Sequence, residues 1–354
     1  MNRRRGQFSV SDRTVEVEND FRWRDLSRVS PKLGEMKRLS PRQKAWGLVT
    51  GTPEAFFLRN PIISQGVSLR IRTLKGAIAQ AEYVSRNGEL TLIDSEGRRR
   101  STPALVQGAL RGWCLDNLAI TPTTRVVDHL VLGVNGEAER EGFERACLSW
   151  CQAHLQGFPW LIGFHYDRPG HTHAHVLLRH RNWDTGAFFR LTPWDCDALR
   201  EDLAARFVEA GVSANATSRA TRGVFGPTLR YAQRVLHGGK LGPEVKAKIE
   251  AEARQAIEAK EVIEPAADRG RLSRAQVFSY AKGLIEHELK PSDDPEDLEL
   301  ARRLEAYYRA LPPVRGLVES RALEIIEERR REAERLEKEA EAAEARRDRG
   351  GPER

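Results

Sequence analysis

The chain has 354 residues, of which 40% are hydrophobic and 31% charged, so it is globular overall with highly charged portions and can form one or two domains. No apolar run approaches the length of about 18 residues that a membrane-spanning helix needs, which excludes such a span. The formal net charge of +7 and the pI near 9.4 favour a polyanionic partner.

Two further features of the sequence bear on where in the cell the protein is located. The basic residues that begin the chain, up to Arg5, are followed by no apolar stretch, so we expect no secretory signal there. The four cysteines, Cys114, Cys147, Cys151 and Cys196, show no zinc-ligand spacing, and a reducing environment fits them. We therefore expect a cytoplasmic protein.

The predicted elements begin with a basic N-terminal extension over residues 1–65, which we expect to be partly ordered. Beyond it, alternating apolar residues predict strands, and apolar residues spaced by three and four predict helices. Strands are predicted over Val67–Arg72, Glu89–Ile93 and Arg125–Val134. Helices are predicted between and after them, over Leu74–Val84, residues 103–118 and Glu137–Leu155.

A hairpin comes next in the chain. Trp160–Tyr166 and Thr172–His180 are predicted as strands, because the Asp167–Gly170 segment between them has the residues of a turn. Pro193–Ala210 is predicted as a helix that Gly211 closes. This order of elements predicts an α+β domain in which helices pack on a mostly antiparallel sheet.

The sequence beyond this domain is predicted to be helical. Gly238 and Gly239 mark the end of the domain, and we expect helices over residues 243–354. From Ala322 to Arg349 the sequence is nearly all Glu, Arg, Ala and Lys, with oppositely charged residues at helical spacing. This last stretch is predicted to be a solvated helix or a partner-binding arm.

Four of the nine histidines lie within eleven residues of the hairpin, at His165, His171, His173 and His175. Histidine is a common metal ligand, and alternate residues of a strand share one face. Cβ atoms four residues apart on a strand are about 13 Å apart, whereas an imidazole with its metal bond reaches about 5–6 Å. His171 and His175 therefore cannot easily share one ion. His165 is well placed across the hairpin, and the pairs His171/His173 and His173/His175 are both compatible with this geometry.

Four segments of the chain form a pattern in their order. They are Glu82–Leu90, Asp128–Gly133, the histidine hairpin and Asn215–Gly223. Together they resemble the conjugative DNA relaxases of the P-type mobilisation class, within the HUH endonuclease superfamily, and in particular those that nick T-DNA borders. The similarity covers roughly residues 66–235. Two positions depart from the family pattern: Gly133 stands where a serine is usual, and Arg179 where an asparagine is often found.

The resemblance implies a relaxase domain over residues 66–237, with an antiparallel sheet and flanking helices. A mostly helical region over residues 238–354, ending in a charged helix, would follow it. The resemblance also implies that Tyr83 is the nucleophile. The implied metal ligands are His165, His173 and His175, and the implied cofactor is a divalent metal ion, Mg²⁺ or Mn²⁺.

Other side chains suit supporting roles. Asp167 shares the face of His165 by alternation, so we expect it to orient a ligand imidazole through the second ring nitrogen. Three arginines suit contacts with DNA phosphates. Arg86 lies in the first of the four segments, and Arg219 and Arg222 lie in the last.

The implied function is metal-dependent, site- and strand-specific nicking and rejoining of DNA at a plasmid or mobile-element transfer origin. A covalent 5′-phosphotyrosyl intermediate would carry the reaction and initiate conjugative transfer. The implied partners are single-stranded DNA at the origin and accessory relaxosome and coupling proteins, without membrane insertion. Alternatives are a rolling-circle replication initiator of the same superfamily, a non-catalytic DNA-binding protein with a structural metal, and a metallonuclease that uses water. Tyr83 precedes the histidines, which disfavours the replication initiator, in which the tyrosine usually follows them.

Overall fold

The structure, a computed structural model, describes residues 33–59, 71–115, 125–224, 242–262 and 265–349. Contacts divide these residues into two compact units. The first unit consists of residues 33–222 with residues 279–310, and the second of residues 223–278 with residues 311–349. The histidine hairpin belongs to the first unit.

In the described residues, the first unit contains a six-stranded antiparallel sheet with the strand order β1-β4-β6-β5-β2-β3. The strands are β1 (Ala55–Arg59), β2 (Leu92–Asp94), β3 (Arg99–Arg100), β4 (Val127–Val134), β5 (Trp160–His165) and β6 (Thr172–Arg179). Every residue of β4, β5 and β6 is buried, as expected for largely apolar runs that lie in the middle of a covered sheet. The predicted α+β class and antiparallel sheet are confirmed.

Helices account for most of the other described residues. In chain order they are α1 (Pro41–Thr50), α2 (Leu74–Val84), α3 (Pro103–Leu115), α4 (Arg140–His154), α5 (Pro193–Glu209), α6 (Pro243–Ala259), α7 (Pro265–Leu284), α8 (Pro295–Ala310) and α9 (Leu317–Arg349). A π-helical turn at Ile285–Leu289 follows α7 directly. Within the described part of the chain, no helix has the length and apolar character to cross a membrane.

One face of the sheet is covered by α4 and α5. Trp150 and Phe143 of α4 and Phe207 of α5 are fully buried there, among the apolar residues that point to this side from β4, β5 and β6. Helix α5 begins where the Thr192 hydroxyl accepts a hydrogen bond from the backbone of Asp195, whose carboxylate accepts one from the Thr192 backbone. This cap fixes the start of the helix and so its position on the sheet.

The opposite face is partly covered by α2 and α3. Ala81 and Val84 of α2 and Leu110 of α3 are buried against Leu161 of β5 and Leu177 of β6. By strand alternation His165, His173 and His175 point to this same face. The histidine cluster therefore lies beside the end of α2 and away from α4 and α5.

Residues 33–59 contain two elements that we did not predict. Helix α1 begins with a capping box formed by Ser40 and Gln43. Strand β1 pairs along its whole length with β4, from Ala55 opposite Val134 to Arg59 opposite Leu130. Part of the predicted N-terminal extension is thus an edge strand of the sheet.

One predicted strand is displaced. We predicted it over Glu89–Ile93, but β2 covers Leu92–Asp94. The preceding residues are taken up by a turn in which Arg86, Asn87 and Gly88 have positive φ. Much of the predicted strand Val67–Arg72, the end of the predicted helix over residues 103–118 and the domain end at Gly238 and Gly239 lie outside the described residues.

The second unit is helical in its described residues. Helices α6 and α9 pack together around Ala253, Ala322 and Ile325. Arg321 of α9 donates a hydrogen bond of 2.5 Å to Glu250 of α6. The predicted mostly helical C-terminal region is confirmed, and the side chains of α9 over residues 331–342 are exposed.

Candidate metal centre and nucleophile

Three histidines converge on the open part of the sheet. His165 ends β5 and lies opposite His173 of β6, while Gly163 lies opposite His175. One ring nitrogen from each histidine falls within 4.8 Å of the others, and all three side chains are buried. Among the described residues this group does not include His171, so the geometry favours the pair His173 and His175 over the pair His171 and His173.

The hydrogen bonds of the cluster fit a metal centre. Nδ1 of His175 lies 2.7 Å from Nε2 of His129, whereas its buried Nε2 has no hydrogen-bond partner among the described residues. Nδ1 of His173 donates to the carbonyl of His171 at 3.1 Å, which leaves the other nitrogen with a lone pair. A metal-ligating histidine normally has its second nitrogen held in this way.

His165 is held at both nitrogens. Its Nε2 donates to the carbonyl of Val84 at 2.8 Å, and its Nδ1 lies 3.3 Å from the guanidinium of Arg86. With the proton on Nε2, Nδ1 carries the lone pair. Arg86 thus occupies the nitrogen through which His165 would contact a cation, and the guanidinium, held also by Asp167, would turn away from Nδ1 when an ion binds.

The surroundings keep the cluster uncharged. Burial lowers the pKa of His165, of His173 and, most strongly, of His175 below the ordinary value. Burial also lowers the pKa of His129 to about 4. Neutral imidazoles are the form that binds metal ions, so the residues present fit a divalent cation.

Tyr83 lies beside this cluster. It is the penultimate residue of α2, is 43% exposed, and its ring centroid is 5.5 Å from that of His175. A Cβ at Gly163 would lie 3.0 Å from a methyl of Val84, so the absence of a side chain there lets the end of α2 approach the sheet. The close approach brings Tyr83 to the histidines.

The other tyrosine near the hairpin, Tyr166, belongs to the opposite face. Its ring packs against Phe143 of α4, and its hydroxyl donates to Glu144 at 3.1 Å. Burial, with Glu144 adding to its effect, raises the pKa of Tyr166. Of these two tyrosines, Tyr83 is therefore the one that is both exposed and next to the cluster.

Asp167 contacts the cluster indirectly. Its carboxylate accepts a bond of 2.6 Å from Arg86, the residue that lies against Nδ1 of His165. Burial would raise the pKa of Asp167, but the hydrogen bond and charge of Arg86, a backbone hydrogen bond and the interaction with His165 together outweigh it and lower the pKa. We expected Asp167 to hold a ligand directly; in the structure Arg86 lies between Asp167 and His165.

The two remaining predicted arginines lie after β6 in the chain. Arg222 donates to Glu54 at 2.7 Å and to the carbonyl of Thr217 at 3.1 Å, so its charge is already matched. Arg219 is exposed. Of the predicted phosphate-binding residues, Arg86 is the one that contacts the histidine cluster.

Two residues at the site were missed in the sequence. His129 of β4 faces His175, although no short spacing connects them, because the two meet only through the pairing of β4 with β6. Phe56 of β1 stacks on His171 with ring centroids 5.0 Å apart and an interplanar angle of 5°. The aromatic pair Phe56 and Phe57 was the available signal, since β-strands favour such residues.

Comparison with known proteins gives one similarity. The chain is 26% identical over 183 residues to the T-DNA border endonuclease VirD2 of Rhizobium rhizogenes. The alignment covers 46% of this chain and 41% of the relative, so the chain matches less than half the length of that protein. This is a distant similarity to a relaxase. No family model matches the chain, and no solved structure matches it.

Proposed function

We propose that this chain is a metal-dependent DNA relaxase of the P-type mobilisation class. It would nick and rejoin one strand at a plasmid or mobile-element transfer origin and so initiate conjugative transfer. The observation that carries the proposal is the exposed ring of Tyr83 beside His175 and the buried cluster of three histidines. The similarity to a T-DNA border endonuclease supports the same reaction.

In the proposed reaction the hydroxyl oxygen of Tyr83 attacks the scissile phosphorus. A bond forms between this oxygen and phosphorus while the bond from phosphorus to the 3′ oxygen breaks. The phenolic proton is released, and the departing 3′ oxygen takes up a proton, so the products are a 5′-phosphotyrosyl enzyme and a free 3′ hydroxyl. Rejoining is the reverse reaction and needs no further energy source, because one phosphodiester replaces another.

His165, His173 and His175 would hold the divalent ion, Mg²⁺ or Mn²⁺. Bound there, the ion would polarise a phosphoryl oxygen and offset its negative charge. Because the three imidazoles are neutral, they would leave the charge of the ion uncancelled. His129 and the carbonyls of His171 and Val84 would orient the ligands.

The supporting residues take proposed roles around this reaction. Arg86 would contact a phosphate beside the scissile bond, and Asp167 would hold Arg86 in place. Arg219 is proposed to contact the DNA backbone from its exposed position, and Arg222, paired with Glu54, to contribute less. The proposed partners are single-stranded DNA at the origin and accessory relaxosome and coupling proteins.

The test uses the full chain, Mn²⁺ and a single-stranded library that contains the origin region of the host plasmid. A denaturing gel would detect a covalent protein–DNA adduct, and sequencing of the bound strands would give the nick position. Mass spectrometry of the digested adduct is expected to find the nucleotide on Tyr83. Tyr83→Phe should bind DNA and metal as before yet lose cleavage and adduct together.

Tyr166→Phe is the matched control, because it removes a phenol from the opposite face and should leave cleavage intact. Cleavage by Tyr83→Phe, or an adduct on Tyr166, would refute the mechanism. Cleavage without any adduct would indicate a metallonuclease that uses water. DNA binding that never leads to cleavage would favour a DNA-binding protein with a structural metal.

A further inference from the structure

Five rings form a continuous row across the open face of the sheet. Successive centroids are 5.0 Å apart from Phe56 to His171, 4.9 Å to His173, 4.9 Å to His175 and 5.5 Å to Tyr83. His171 immediately precedes β6 and His175 lies within it, and four residues of extended chain separate their Cα atoms by roughly 13 Å. Phe56 and Tyr83 therefore lie at opposite ends of the row, with the candidate metal centre between them.

Gly133 allows Phe56 to take this position. Phe56 of β1 lies opposite Gly133 of β4, which in turn lies opposite His173. A Cβ at Gly133 would come within 2.3 Å of Cζ of Phe56, so any other residue would displace the ring. The ring of Phe56 thus crosses β4 and stacks on His171.

The Phe56 end of the row is apolar and accessible. Leu58, two residues along β1 and on the same face, is 47% exposed although it is a large aliphatic side chain in a strand. Phe56 and His171 are half-buried and nearly parallel. A flat, accessible aromatic pair beside a phosphate-handling centre suits a nucleobase, since every base has an aromatic face that can stack.

The chemistry of strand transfer decides which nucleotide lies there. In phosphoryl transfer the attacking and leaving oxygens lie roughly in line through phosphorus. In the proposed reaction Tyr83 would attack from the His175 end of the row, and a leaving 3′ oxygen in line with it would point away from Tyr83, toward the His171 end. The strand that ends in this 3′ oxygen, on the 5′ side of the nick, would therefore run toward Phe56.

We infer that Phe56, stacked on His171 and flanked by Leu58, holds a nucleobase of the leaving strand. This inference rests on the proposed function, since it takes the position of the leaving strand from the attack by Tyr83. The stacked base would keep the free 3′ hydroxyl close to the phosphotyrosyl bond until rejoining. Phe56 is thus a DNA-binding residue and takes no part in bond breaking.

The first experiment measures binding alone and does not depend on cleavage. Fluorescein-labelled oligo(dT) and an abasic oligomer of the same length are titrated with the full chain at low salt in EDTA. Wild type is expected to prefer oligo(dT), and Phe56→Ala and Phe56→Leu to lose roughly 5- to 150-fold in affinity for it, the range for removing one base–aromatic stack. Phe56→Trp should retain the affinity, and no variant should change binding of the abasic oligomer.

Trp183→Ala is the matched control, because Trp183 is 57% exposed in the loop after β6. It removes an exposed aromatic ring outside the row and should leave the preference for oligo(dT) intact. Equal binding of oligo(dT) by wild type and by Phe56→Leu, with both folded by circular dichroism, would overturn the inference. An equal loss in Trp183→Ala would also overturn it, because the effect would not be specific to Phe56.

The second experiment identifies the strand. In Tyr83→Phe, a single abasic nucleotide is placed 5′ or 3′ of the nick position in the strand that the chain cleaves. Affinity should fall for abasic positions on the 5′ side, and adding Phe56→Leu should abolish this difference. Sensitivity confined to the 3′ side would overturn the assignment. If the chain cleaves no strand, the proposed function fails, while the oligo(dT) comparison still decides whether Phe56 stacks on bases.

Discussion

The contacts of the two ring nitrogens of His175 determine which of them carries the proton. To present Nε2 to a cation, His175 must carry its proton on Nδ1, which then donates to Nε2 of His129 over 2.7 Å. His129 is therefore the acceptor. Since burial lowers the pKa of His129 to about 4, it is neutral near pH 7 and able to accept. A neutral acceptor here takes the place that a carboxylate often holds in metal centres.

Three single substitutions distinguish a proposed metal ligand, a residue that would orient a ligand, and a nearby histidine with neither role. His173→Ala should abolish Mn²⁺ binding, because it leaves an incomplete site. His129→Leu should weaken Mn²⁺ binding about 10- to 100-fold, the usual effect of losing a partner that orients a ligand. His171→Ala should leave metal affinity near wild type. Calorimetric titration with Mn²⁺ measures all three, and wild-type affinity in His129→Leu would show that His129 does not orient His175.

At the level of elements, a buried polar cluster holds α4 to α5. Asp202 of α5 accepts hydrogen bonds from His154 of α4 at 2.9 Å and from Arg206 at 2.7 Å. It also accepts one from the backbone of Lys37 at 2.6 Å, and its side chain is fully buried. The cluster ties the helices on one face of the sheet to the segment that precedes α1.

Asp202→Asn should lower the free energy of unfolding by about 3–5 kcal/mol, because it leaves buried donors and a charged Arg206 unmatched. Burial would raise the pKa of Asp202, but the hydrogen bonds from His154, from Arg206 and from the backbone of Lys37 and the electrostatic interaction with His154 together outweigh it and lower the pKa. A lowered carboxyl pKa stabilises the fold above the unfolded value of about 3.9 and loses this contribution as the pH falls through the folded value.

Denaturant unfolding between pH 2 and 7 would measure this effect. The wild-type chain should lose stability faster than Asp202→Asn at the acid end of this range. Glu209→Gln on the same helix is the control, since Glu209 forms an exposed ion pair with Lys37 and should contribute less than about 1 kcal/mol. An equal fall of the free energy of unfolding with pH in wild type and in Asp202→Asn would show that the Asp202 carboxylate is not the source of this acid sensitivity.

Some elements could be predicted from the pattern of apolar residues in the sequence, and others could not. Helix α2 was predicted at its observed bounds, and the hairpin strands within a residue or two, because their apolar periodicity is strong. Strand β1 was missed because five residues with adjacent aromatics show little alternation. Alternation grouped the hairpin histidines, but contacts between strands far apart in sequence needed the sheet register. His129 and Phe56 therefore emerged only from the structure.

For the whole molecule, β1 and α1 belong to the structure that supports the site. Lys44 of α1 is almost fully buried and pairs with Glu201 of α5 at 3.0 Å. Glu54, next to β1, accepts a hydrogen bond of 2.9 Å from the backbone of Thr217. Without these elements β4 would become an edge strand with unpaired backbone groups.

Deletion of residues 1–65 should lower the melting temperature by more than roughly 10 °C or make the protein insoluble, because it removes β1 and exposes β4. Deletion of residues 331–354 is the comparison, since the described side chains of that stretch are exposed as far as residue 342. It should leave the melting temperature nearly unchanged. Differential scanning fluorimetry measures both. Wild-type stability after the N-terminal deletion would show that β1 contributes little.

The glycine opposite Phe56 has a consequence for sequence evolution. Because a side chain at Gly133 and the ring of Phe56 compete for the same space, the two positions should not vary independently among relatives. A relative with serine at the position of Gly133 should carry a smaller or differently placed residue at that of Phe56. In the proposed function, divergence at this pair would alter how firmly the leaving strand is retained while leaving the cleavage chemistry unchanged.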